Sequence, residues 1–143
     1  KDMKPMIKLV DKLHLNSRVT FLGWVNDSEK ESLLNNTSLF ILPSRLDSFG
    51  MGYLEAMEYS IPCVALKYRS IIDVFENEKE GLQFDLDGSN DDISKRIACG
   101  VENLFKTYDL YEKLAINSFN CVKNNYNAAK VAQDFKKIVG KLI

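Results

Sequence analysis

The sequence predicts an α/β fold: a parallel sheet flanked by helices, closed by an all-helical C-terminal tail. Three observations carry that expectation. Short apolar runs occur at Leu39–Leu42, Cys63–Leu66 and Leu82–Phe84. They are spaced about twenty residues apart with helical pattern between them, too far apart for hairpins, so their connections must be crossovers and their ladders parallel. From Asp91 onward the hydrophobic residues follow helical spacing alone.

Near the start, Met6, Ile7, Leu9, Val10, Leu13 and Leu15 form a helical stripe, with His14 read as a residue on the helix face. The chain opens at Lys1 inside this pattern, so the parent protein is expected to extend upstream. Val19–Leu22 reads as the first strand. Asp27-Ser28-Glu29 should cap a helix reaching Asn35, with Leu33 and Leu34 turned inward. Strand Leu39–Leu42, helix Met51–Tyr59 and strand Cys63–Leu66 follow, then a short helix Ile71–Glu76 and strand Leu82–Phe84. Breaks at Tyr108-Asp109 and Asn124-Asn125 divide the tail. Ala128, Val131, Ala132, Phe135, Ile138, Val139 and Leu142 place one apolar face on the last helix, expected to pack on its own fold.

A chain of 143 residues can bury a real core, and a single domain spanning residues 1–143 is expected. A net charge of −1 gives no reason to expect nucleic acid as a partner. No run approaches the ~18 apolar residues of a membrane span. Cys63, Cys99 and Cys121 are widely spaced, and His14 is the one histidine, so free structural thiols in a reducing cytoplasm are expected. The lone histidine also leaves no Ser-His-Asp or Cys-His arrangement for hydrolysis. Asp73 to Lys95 carries eight acids and two bases, whereas Lys106 to Ile143 carries seven lysines and three acids. Solvated helix faces explain this pattern; a basic tail resting on anionic lipid is the alternative.

The chemistry concentrates in Leu42-Pro43-Ser44-Arg45-Leu46-Asp47-Ser48-Phe49-Gly50-Met51-Gly52-Tyr53-Leu54-Glu55-Ala56-Met57-Glu58. An apolar strand runs into a glycine-bearing loop that opens a helix, and the first free amides of a helix form an anion site. Asp47 and Glu55 flank that site. Carboxylates there would not bind phosphate; they would accept hydrogen bonds from hydroxyls attached to whatever carries it. A nucleotide sugar has both parts.

This stretch resembles the donor motif of family 4, or group 1, retaining glycosyltransferases, whose GT-B architecture joins two Rossmann-like domains. In that family Glu-Gly-Phe-Gly leads to Glu-Ala-Met with seven residues between the glutamates, the spacing of Asp47 and Glu55 here. Arg18-Val19-Thr20-Phe21-Leu22-Gly23-Trp24-Val25, Ile61-Pro62-Cys63-Val64-Ala65 and Glu80-Gly81-Leu82-Gln83-Phe84 resemble flanking family segments in the same order. The resemblance implies the C-terminal, donor-binding half of such an enzyme. It assigns the donor sugar's hydroxyls to Asp47 and the ribose hydroxyls to Glu55. The backbone of Ser48, Phe49, Gly50, Met51 and Gly52 would face the diphosphate, and Trp24, Val25 and Asn26 the nucleobase.

The resemblance also implies transfer from a UDP- or GDP-sugar, with retention, in cell-surface polysaccharide or glycolipid synthesis. No metal or other cofactor is expected, and no Asp-x-Asp motif is present. The family's diphosphate-gripping Arg and Lys precede the region matched here, and its glycan or lipid-linked acceptor binds the N-terminal domain. The chain alone is therefore expected to be inert, and the protein to be cytoplasmic or peripheral at the inner membrane face. Four departures stand out: Asp47 for Glu, Ser48 for Gly, Ser60 for Gly, and Arg69-Ser70 with Asp73 where Gly-Gly precedes Glu. Asp47 reaches about 1.5 Å less far than Glu. Ser60 is expected to take a left-handed conformation after the helix. These departures keep open a non-catalytic scaffold or regulatory module, while the fold alone also admits a nucleotide-sugar epimerase or a glucan synthase.

Overall fold

A computed structural model describes residues 3–68 and 71–141. Arg69-Ser70 and Leu142, singled out above, lie outside the described residues. The chain divides into two compact units, Lys1–Ser32 and Leu33–Ile143.

In the first unit, α1 spans Lys4–Lys12 and tolerates Pro5 in its first turn because amides there lack helical acceptors anyway. His14 is not on the helix face. It sits just past the helix end at φ +55°, with its amide on the Asp11 carbonyl and the Leu15 amide on Val10. Val19–Leu22 is not a strand: it makes no ladder among the described residues, and Leu22 is exposed. Hydrophobicity marked the segment, but a strand exists only where a partner supplies its hydrogen bonds. Helix α2 spans Asp27–Asn35, and its cap is Asn26, one residue earlier than the sequence pattern indicated. The Asn26 side chain accepts from the Glu29 amide at 2.9 Å, and the Glu29 carboxylate accepts from the Asn26 amide at 2.9 Å. That reciprocal pair is a capping box.

The second unit is built on a three-stranded parallel sheet, β1 (Phe40–Leu42), β2 (Cys63–Leu66) and β3 (Gly81–Phe84), in the order β1-β2-β3. Helix α3 (Met51–Glu58) connects β1 to β2, and α4 (Ile71–Val74) lies between β2 and β3. The central strand β2 is buried along its whole length, as a two-faced parallel strand must be. Its side chains alternate between two cores. Cys63 and Ala65 join Tyr53, Ala56, Met57, Ile71, Val74 and Phe75, whereas Val64 joins Leu82, Leu104 and Leu114. Gly81 is set by close approach, since a Cβ there would lie 2.4 Å from the Cys63 carbonyl oxygen.

The tail forms α5 (Asn90–Lys106), α6 (Tyr108–Asn125) and α7 (Ala128–Val139). Both breaks fall next to their expected positions, at Thr107 and at Tyr126-Asn127. Asn127 caps α7 by accepting from the Lys130 amide, which fixes where that helix begins. Leu114 in the first half of α6 packs in the second core, while Cys121 and Val122 pack against the first. Ser118 ties the same helix to β3 by donating to the Glu80 carbonyl at 2.6 Å. Helix α7 departs from expectation: Val131, Phe135 and Ile138 remain exposed, with Phe135 at 65%. Its amphipathic pattern is real but finds no core to enter among the described residues.

Ser60 takes φ +59°, as its place after α3 requires. Its amide bonds the Met57 carbonyl at 3.0 Å and the Ile61 amide bonds Ala56 at 3.2 Å, a Schellman termination. A left-handed residue with a Cβ costs roughly 1–2 kcal/mol, partly offset because glycine loses more entropy on folding. Ser60→Gly should therefore stabilise the protein by about 0.5–1 kcal/mol. Urea unfolding should show a higher midpoint at unchanged slope.

Candidate functional site

The site grows from the turn between β1 and α3. Gly50 precedes α3 at φ +81°, ψ 34°, where residues with a Cβ rarely go. It is also boxed in: a Cβ would meet Ile71 Cδ1 and Tyr53 Cδ2 at 3.0 Å and Val74 Cγ2 at 3.3 Å. A side chain here would be strained in its backbone and crowded by three neighbours, so glycine suits the turn best. The Met51 and Gly52 amides follow as first-turn donors, with no helical carbonyl four residues behind them.

Asp47 is brought directly onto this turn. Its Oδ1 accepts from the Phe49 amide at 3.0 Å and the Gly50 amide at 2.6 Å. The carboxylate thus acts as the loop's own anion, on two of the amides that the motif assigns to the donor's diphosphate. Ser48 is exposed with no positive φ, so a side chain there is accommodated without strain. Phe49 is 49% exposed and meets the Tyr126 ring edge-on, centroids 6.4 Å apart. Glu55 lies one turn into α3, half-buried on the helix that Gly50 opens. Asp47, Ser48, Phe49, Gly50, Met51, Gly52 and Glu55 therefore form one strand-loop-helix unit. Trp24, Val25 and Asn26 lie in the Lys1–Ser32 unit. Trp24 is 87% exposed, Val25 is half-buried, and the Asn26 side chain is committed to capping α2.

Behind the loop stand residues that the motif did not reveal. Tyr53 is fully buried, and its hydroxyl donates to the Leu42 carbonyl at the end of β1. Its ring packs edge-on to Phe40 and tilted to Phe75, both at 5.6 Å between centroids. Burial pushes the Tyr53 phenol well above its ordinary range, so it remains a protonated donor. Arg45 donates to the Asn90 side chain at 2.7 Å, tying the loop's start to the first residue of α5. Neither the burial of Tyr53 nor its hydroxyl partner was read from the sequence, because both depend on how the strand, loop and helix pack. No local signal could have marked Arg45, because its partner is remote in sequence. All three cysteines are free, and burial raises the Cys63 thiol far above reactivity at neutral pH. A cleft of about 400 Å³ lies between Glu58 and Phe119, Val122, Lys123, Tyr126 and Asn127, and none of the predicted site residues lines it.

Comparison with known proteins places this geometry in context. The sequence model "Glycosyl transferases group 1" matches residues 1–120. N-acetyl-alpha-D-glucosaminyl L-malate synthase of Bacillus anthracis is 25% identical over 133 residues, covering 93% of this chain and 33% of that protein. A phosphatidyl-myo-inositol mannosyltransferase of Propionibacterium freudenreichii is 38% identical over 65 residues, 45% of this chain and 17% of the relative. The chain thus spans about a third or less of the length of these curated relatives. The C-terminal domain of a group 1 family glycosyl transferase from Francisella tularensis superimposes with a TM-score of 0.75 at 21% identity, covering 87% of this chain and 62% of that one. Anabaena HepE, solved with UDP and glucose, gives 0.80 at 20% identity, covering 97% and 36%. These structural likenesses establish the fold as that of a Rossmann-like C-terminal GT-B domain.

Adding a methyl group at Gly50 combines a left-handed penalty of roughly 1–2 kcal/mol with overpacking of about 1–3 kcal/mol. Gly50→Ala should lower unfolding stability by about 2–4 kcal/mol, read by chemical denaturation. Ser48→Ala, at an exposed position of the same loop, should change it by less than about 0.5 kcal/mol.

Proposed function

The chain belongs to the group 1 glycosyltransferase family, and on that premise we propose that it is the donor-binding half of a retaining, hexosyltransferase-type enzyme. The reaction breaks the bond between the donor's anomeric carbon and the diphosphate oxygen. It forms a bond from the same face to an acceptor hydroxyl oxygen, and the hydroxyl's proton leaves with the departing phosphate. The observation that carries the proposal is the left-handed Gly50 turn, which presents the opening amides of α3 between Asp47 and Glu55.

Roles follow from that arrangement. The Met51 and Gly52 amides take up diphosphate charge at the positive end of the helix, where preorganised donors stabilise a leaving anion. Phe49 and Gly50 amides contribute when the Asp47 carboxylate gives way to the donor, or support it indirectly while Asp47 holds them. Asp47 is proposed to receive sugar hydroxyls while it orders the loop. Glu55 receives the ribose hydroxyls. Trp24, Val25 and Asn26 are proposed to meet the base. Positioning and electrostatics supply the catalysis, so the proposal needs no metal.

The donor nucleotide is proposed to be UDP or GDP. HepE was solved with UDP and glucose, and one Escherichia coli relative is named for UDP-Gal. The acceptor is proposed to be a glycan or lipid-linked sugar bound by a further domain. No helix among the described residues is long and apolar enough to cross a membrane. The exposed Val131, Phe135 and Ile138 of α7, accompanied by four lysines between Lys130 and Lys141, support peripheral contact at the inner membrane face. The free thiols fit a cytoplasmic location.

Thermal unfolding of the intact protein against UDP-, GDP- and ADP-sugars tests the proposal. Ligand at a hundredfold over its dissociation constant adds about 2.7 kcal/mol of stability. One nucleotide class should raise the melting temperature. Glu55→Ala should abolish that shift while costing less than about 1 kcal/mol without ligand. No response in the wild-type protein would refute a donor site and favour a scaffold role.

A further inference from the structure

We propose that Tyr126, beyond the motif and at the end of α6, is a positioning residue that sets the donor loop by holding both of its supports at once. The inference rests on the donor-site reading above. Tyr126 makes contact in two directions. Its ring meets the edge of Phe49 at 6.4 Å and 80°, reaching the residue whose amide neighbours Gly50. Its hydroxyl donates to the Asp73 and Val74 carbonyls, at 3.2 and 3.3 Å, in a shared bond at the end of α4.

Helix α4 in turn is the wall behind Gly50. A Cβ at Gly50 would strike Ile71 Cδ1 and Val74 Cγ2, so these two side chains fix how far the turn can sink toward the core. Four residues are too few to hold a helix by themselves, so α4 depends on outside partners for its carbonyls. Gln83 from β3 caps Phe75 at 2.5 Å and reaches Ile71 at 3.4 Å, and Cys121 approaches Val74 at 4.0 Å. Tyr126 touches both α4 and Phe49, closing a circuit that runs Phe49, Tyr126, Val74 and Gly50.

That circuit has a functional consequence because Phe49 is half-exposed and cannot anchor the loop through its own burial. If Tyr126 releases the α4 carbonyls or the Phe49 ring, the Gly50 amide and the first-turn amides of α3 lose their fixed aim. A site that works by preorganised donors is sensitive to such small displacements. Burial raises the Tyr126 phenol, with Cys121 adding to the effect, which keeps the hydroxyl a donor throughout the neutral range.

The test uses the intact protein and calorimetric titration with UDP-glucose, or with GDP-mannose if wild type answers to that donor instead, well below every variant's melting temperature. Tyr126→Leu, which loses ring edge and hydroxyl, should weaken donor affinity about tenfold, and Tyr126→Phe, which keeps the ring, about threefold. Leu114→Ala, in the second core, should lower the melting temperature without changing donor affinity. Wild-type affinity in Tyr126→Leu, with a lowered melting temperature, would reduce Tyr126 to a structural residue and overturn the inference alone. Absence of donor binding in the wild-type protein would overturn the donor-site reading and this inference with it.

Discussion

The turn at Gly50 is the constraint on which the rest of the structure depends. The chain must leave β1 and enter α3 within a space closed by Ile71, Val74 and Tyr53, and it does so at φ +81°. A residue without a Cβ meets both the backbone angle and the space without strain. The consequence runs outward from there. With the turn fixed, α3 begins at Met51, and Tyr53 lands between Phe40 and Phe75 with its hydroxyl on Leu42. The same covalent segment thus seats the first core and sets where the opening amides of α3 begin.

The second unit spreads that constraint through parallel connectivity. β2 is buried on both faces, so helices must cover both, and α6 contributes to each in turn. Its last residues bring Tyr126 to the loop between β1 and α3, while Ser118 holds the Glu80 carbonyl beside β3. The loop is partly exposed yet supported by aromatic edges, side-chain caps and a one-turn helix. Rigid support under an accessible loop is the arrangement that binding by preorganised amides requires.

Much of this was legible in the chain because its signals are local. β2 lies at Cys63–Leu66, α2 spans Asp27–Asn35, and Ser60 takes the left-handed conformation that its place after α3 implies. The motif spacing identified the strand-loop-helix unit for the same reason: every part of it lies within one short segment. What escaped the sequence is relational. Val19–Leu22 has the composition of a strand but makes no ladder among the described residues, and α7 has an apolar face that no described core receives. His14 ends its helix through backbone geometry rather than side-chain chemistry. The motif singled out Asp47, but its grip on the Phe49 and Gly50 amides depends on the turn's three-dimensional shape. The link from Tyr126 to Phe49 joins residues with no local relation, so periodicity could not reveal it.

The central claim is that the opening amides of α3, flanked by Asp47 and Glu55, receive the donor. Amide-resolved magnetic resonance of the intact protein during titration with UDP-glucose and GDP-mannose tests it most directly. The account predicts that one of them shifts the Gly50, Met51 and Gly52 amides together, with smaller changes at Phe49. Saturable shifts confined to other segments, with these amides unmoved, would contradict it.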